Sequence, residues 1–93
     1  PQPSGGLAGA ALDGMLYVFG GEYFSESGGV YEHTWAYDPD VDAWTQHDPM
    51  PTPRHGLAGT ALGGHIYAIG GNPAAGIGAA TSSVVERLSP TTD

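Results

Sequence analysis

Ninety-three residues carry a formal net charge of −8, with Arg54 and Arg87 as the two fixed cations and no cysteine. Nucleic-acid backbones and anionic membrane surfaces call for clustered Lys and Arg, so the composition argues against both as partners. No apolar run reaches the ~18 residues of a spanning helix, there is no thiolate zinc site or disulfide to infer, and the cellular compartment stays open.

Sixteen glycines and eight prolines would suit a low-complexity chain. The regular placing of Leu, Ile, Val, Tyr and Trp between them argues instead for short strands. In chain order, Leu7–Leu12 is built from small side chains and suits an inner strand. Asp13-Gly14 links it to the apolar run Met15–Phe19, with the composition of a tight hairpin turn needing positive φ. Gly20-Gly21 ends that strand, and a polar, glycine-bearing loop spans 22–30. A third strand is predicted from about Val30 to Asp38, with Tyr31, His33, Trp35 and Tyr37 alternating at a period of two. After Pro39 and an Asp-rich turn, Ala43–Gln46 forms a fourth strand, and Pro49–Pro53 is a stiff linker. The series then restarts with Leu57–Leu62, Gly63-Gly64, His65–Ile69 and Gly70-Gly71, followed by a Gly-Ala-rich loop over 72–81 and a strand at Val84–Leu88. No helical periodicity with caps occurs, so the fold class is all-β.

The restart is a repeat. Residues 5–21 and 55–71 are identical at ten of seventeen positions, a spacing of fifty residues. A period near fifty marks repeated supersecondary units that cannot bury their faces alone. The double glycine Gly20-Gly21, the segment Tyr37-Asp38-Pro39-Asp40-Val41-Asp42-Ala43-Trp44 and the opening Pro53-Arg54-His55-Gly56 resemble the kelch repeat. The resemblance implies four-stranded antiparallel blades of a β-propeller, usually five to seven in a ring. One blade would cover 1–52 and a second 53–93, both part of one propeller domain. The second departs from the pattern: Leu88-Ser89 replaces the Tyr-Asp pair, and the counterpart of Trp44 is missing, so three strands are expected there. The expectation is a fragment holding the last two blades of a longer, six- or seven-bladed, bacterial-type protein. The alternative is that copies of the chain assemble to close a ring.

Antiparallel order brings loops 22–30 and 72–81 and the pair Arg54-His55 to one face, where kelch relatives bind partners or small substrates. On that face Arg54 offers a fork for a carboxylate, and His55 an acid, base or ligand. Each has a structural counter-reading: Arg54 caps strand ends or pairs with a nearby acid, and His55 bonds backbone. The first repeat has Ser4-Gly5 in their place. Tyr23 and Phe24 supply rings that stack on a sugar, anchor a partner, or fold back over the blade. Glu22, Glu26 and Glu32 add carboxylates, with no spacing that singles out a pair. Gly20, Gly21, Gly70, Gly71, Tyr37 and Trp44 belong to the structural motif, with Trp44 expected between blades.

Asp38, Asp40 and Asp42 imitate a calcium loop, but Ala43 stands at its glycine and Pro49 at its bidentate position. No metal and no cofactor is therefore called for, and no catalytic residue is assigned. The resulting reading is a binding or scaffold module for a protein or carbohydrate partner. The competing readings are a piece of a propeller enzyme acting on sugars (epimerase-, oxidase- or lyase-like), and a two-blade building block without ligand.

Overall fold

The computed structural model describes residues 5–23, 29–73 and 82–88, and these are all-β. In chain order the strands are β1 (Ala8–Leu12), β2 (Met15–Phe19), β3 (Glu22–Tyr23), β4 (Gly29–Val30), β5 (Thr34–Asp38), β6 (Ala43–His47), β7 (Ala58–Leu62), β8 (His65–Ile69) and β9 (Val85–Leu88). They form a four-stranded sheet in the order β1-β2-β5-β6, a three-stranded sheet β7-β8-β9, and the small hairpin β3-β4. All pairings are antiparallel.

Local chemistry explains the tight turns. Asp13-Gly14 takes φ of 52° and 77°, and Gly63-Gly64 takes 60° and 81°. Positive φ at both central residues matches the twist of the flanking strands. Gly20 and Gly70, at φ 75° and 69°, turn the chain out of β2 and β8. Their surroundings differ, however. A Cβ on Gly20 would stand 2.6 Å from the Arg54 carbonyl oxygen, whereas one on Gly70 would meet only the Ser82 carbonyl oxygen at 3.4 Å. Gly20→Ala should therefore cost more than the ~1 kcal/mol of a left-handed glycine, and Gly70→Ala close to that value. Urea denaturation of both variants checks the order; equal midpoints would refute it.

The predicted third strand divides. Tyr31–His33 leaves the ladder, because its backbone groups bond elsewhere. The Tyr31 amide donates to Gly21, the Glu32 carbonyl accepts from Met50, and the His33 carbonyl accepts from Gly20. The core lies between the two large sheets. Alternation across a strand places Ala8, Tyr17, Phe19 and Ala36 on one side of this seam, and Ile66, Ala68 and Leu88 on the other, all buried. Phe19 is 1% exposed and fits because Gly59 opposite has no side chain: a Cβ there would come within 2.6 Å of the Phe19 Cζ.

Trp44 is not in the seam between the two described blades. It sits on the outward flank of the first sheet, 45% exposed, with its ring 5.0 Å from that of Tyr37. The register explains this: Trp44 pairs with Tyr37 and Tyr37 with Leu16, and Leu16 also points away from the seam. Trp44→Ala in the single chain should then cost about 1 kcal/mol, the scale of one aromatic pair, and not the loss expected of a ring buried between blades. Thermal melting distinguishes the two.

Candidate functional site at the loop end

The linker after β6 carries the chain to the end of the sheets from which loops 22–30 and 72–81 leave. Met50, 1% exposed, anchors it, its amide donating to the Glu32 carbonyl at 2.8 Å. Two residues later the linker grips the second sheet: Thr52 donates to Glu86 through Oγ1 at 2.6 Å and through its amide at 3.3 Å.

Arg54 follows, and it is wholly buried. Its Nη1 donates to the carbonyls of Gly70 and Val84, both at 2.8 Å, and its Nη2 to the Ala68 carbonyl at 3.1 Å and to Glu86 Oε1 at 3.0 Å. The carboxylate this fork meets is therefore Glu86 of the same chain. Gly70 and Val84 face each other where β8 and β9 part, their own bond running from the Gly70 amide to the Val84 carbonyl. Arg54 thus satisfies the carbonyls at that opening, as a planar guanidinium can. Its Nε has no partner among the described residues.

His55 joins the two sheets. Its backbone exchanges bonds with Asn72 at 3.0 and 2.8 Å, and its Nδ1 stands 3.0 Å from Glu22 Oε2. Gly5 and Glu22 make the equivalent backbone exchange in the first repeat. The His55–Glu22 contact is largely buried, the side chains being 8% and 12% exposed. Tyr23 folds back over the β3-β4 hairpin, its hydroxyl lying where a side chain on Gly29 would project. Its ring lies 4.9 Å from Tyr31, whose ring lies 5.2 Å from His33. Glu22, Tyr23, Arg54 and His55 are thus brought to one end, with Arg54 beneath the others. Phe24, Glu26 and positions 74–81 of the second loop lie outside the described residues, and Glu32 is exposed.

Sequence reasoning missed Glu86, Thr52 and Tyr31. A signal for Glu86 was present: it shares strand parity with Leu88, so a lone carboxylate pointed inward in a chain with two cations.

The acidic turn occupies the opposite end. Asp42 takes φ 52°, the Asp40 amide donates to Asp38 Oδ1 at 3.0 Å, and the Tyr37 hydroxyl donates to Asp42 Oδ1 at 2.7 Å. That bond, with burial and the nearby Asp38 charge, raises the phenol above its ordinary value of 10.0. Only the protonated phenol donates. Its contribution to stability is therefore complete below the ordinary phenol range and is lost as pH rises through the raised folded value. Tyrosine-selective NMR should show Tyr37 titrating above 10.0 and Asp42→Asn lowering it; a normal titration in the parent chain would mean that the bond does not form.

With this geometry in view, the comparisons are specific. The kelch motif matches residues 3–51. Among solved structures, that of YjhT matches with a TM-score of 0.67 and 28% identity, over 74% of this chain and 21% of that one. The chain thus spans about a fifth of the length of that structure. No curated protein matches it. The repeat, the all-β sheets and the motif agree: the chain belongs to the kelch-repeat family, its four-stranded sheet being one blade of a β-propeller and its three-stranded sheet, among the described residues, an incomplete one.

Proposed function

We propose that the chain recognises a carbohydrate or protein partner at the loop end, through Tyr23 and Phe24, with the largely buried Glu22–His55 contact and Arg54 holding the floor beneath them. The observation that carries this reading is the His55–Glu22 contact of 3.0 Å, which ties the two repeats together at the end where β3 and β8 hand over to the two loops. A recognition surface needs its polar groups held in place before the partner arrives. The neighbouring Tyr23–Tyr31 pair adds aromatic surface, suited to the apolar face of a sugar ring or to a partner's side chain. Further blades complete the scaffold, whether from a longer chain or from copies of this one.

The same contact favours a second reading, a piece of a propeller enzyme acting on sugars, because a carboxylate beside an imidazole can share a proton.

Probing a glycan array and a peptide array with the labelled chain tests the proposal. Retention on a defined subset, weakened at least tenfold by Tyr23→Ala at unchanged melting temperature, is the expected result. Silence on both arrays would overturn it. Turnover of a retained sugar would move the reading to the enzyme.

A further inference from the structure

The fifty-residue repeat places on the outer flanks of the pair what the seam between them already uses. Within the chain, Gly59, Ala61, Ile66 and Ala68 of the second blade face the first. One repeat earlier, the same positions are Gly9, Ala11, Leu16 and Val18, and the register puts these on the outer flank of the first blade. The converse also holds. Ala8, Tyr17 and Phe19 form the first blade's side of the seam, and their counterparts Ala58, Tyr67 and Ile69 lie on the outer flank of the second. Each outer flank therefore repeats one side of an interface that the molecule has already built, in the same register.

Both flanks are open and largely apolar, with Thr60, His65 and Arg87 the polar side chains on the second. Leu16 is 49% exposed on the first, and Leu62 and Val85 are 71% and 61% exposed on the second. A polar group points the same way. The indole Nε1 of Trp35 is buried and has no hydrogen-bond partner among the described residues. Trp35 stands opposite Val18 as Glu86 stands opposite Ala68, the position where Thr52 and Arg54 close the seam within the chain.

We propose that a second copy of this chain docks here head to tail, the outer flank of its second blade seated on the outer flank of the first blade. This interaction is separate from ligand recognition at the loop end and does not depend on it. Ala58 of one copy lies over Gly9 of the next, as Ala8 lies over Gly59 within the chain, where a Cβ on Gly59 would be 3.2 Å from that of Ala8. The two surfaces differ, so the contact is heterologous, and its repetition closes a ring when the rotation fits. Copies that each carry −8 repel, so association strengthens with salt.

Light scattering on the 93-residue chain should give a discrete mass that is a multiple of 9.5 kDa and grows with concentration and salt. Tryptophan emission should shift to the blue over the same range, since Trp35 and Trp44 both lie on the docking flank. Gly9→Gln should weaken association at least tenfold with an unchanged circular-dichroism spectrum. Gly9 is not left-handed, and a Cβ there would meet only the Tyr17 carbonyl oxygen at 3.4 Å and Val18 Cγ1 at 3.8 Å. Two single-cysteine variants, Gly9→Cys and Ala58→Cys, then test the register in a chain that has no other thiol. Mixed and oxidised, they should cross-link to each other and not to themselves. A single-chain mass at every concentration would overturn the proposal and assign the flanks to other blades. Cross-linking only between like variants would overturn it in favour of a symmetric face-to-face dimer.

Discussion

Arg54→Met should lower the unfolding free energy by about 3–5 kcal/mol, the range for removing one partner of a buried ion pair. The guanidinium is wholly buried and serves three carbonyls and Glu86 at once. Methionine fills much of the volume but returns none of the donors. The carbonyls of Ala68, Gly70 and Val84 would lose the fork that meets them at the point where β8 and β9 part, and Glu86 would keep only Thr52. A loss of this size approaches the whole stability of a domain this small, so the variant is best measured in stabilising salt or with a short urea series. Arg54→Lys should recover only part, because a point charge cannot address four acceptors in one plane. A loss below about 1 kcal/mol for the methionine variant would mean that the buried network is not formed in solution.

Phe19→Ala should cost a comparable 3–5 kcal/mol, the range for emptying a buried aromatic site. The ring is 1% exposed and crosses the seam to Gly59, so its removal opens a cavity between the two sheets. The reverse change, Gly59→Val, overfills the same place and should cost about 1–3 kcal/mol. The two positions share one volume, so Phe19→Ala combined with Gly59→Val should lose less than the sum of the single changes. Additive losses, measured by denaturant unfolding, would show that Phe19 and Gly59 do not meet.

The strands and turns followed from neighbouring residues. Asp13-Gly14 and Gly63-Gly64 are hairpin turns because few residues other than glycine take positive φ cheaply, a property of the single residue. The apolar runs at Met15–Phe19 and His65–Ile69 form strands for equally local reasons. Tyr31–His33 departs from the predicted strand because its backbone bonds go to Gly20, Gly21 and Met50, contacts that no window around residue 32 contains.

The site residues divide along the same line. That Arg54, His55, Glu22 and Tyr23 share one end follows from counting antiparallel strands. The burial of Arg54 does not, since its acceptors lie 14 to 32 residues further along the chain. Nor does the alternation around Trp44 say which flank of its sheet meets the second blade; that depends on which face the next sheet covers. The amino-acid order alone thus determined the repeat, the all-β class and the kelch resemblance, because periodicity and turn preference are carried by adjacent residues. Packing of sheet on sheet decided that Arg54 is an internal clamp, that Glu86 is its partner and that Trp44 faces outward, because burial and ion pairing depend on contacts between segments distant in the chain.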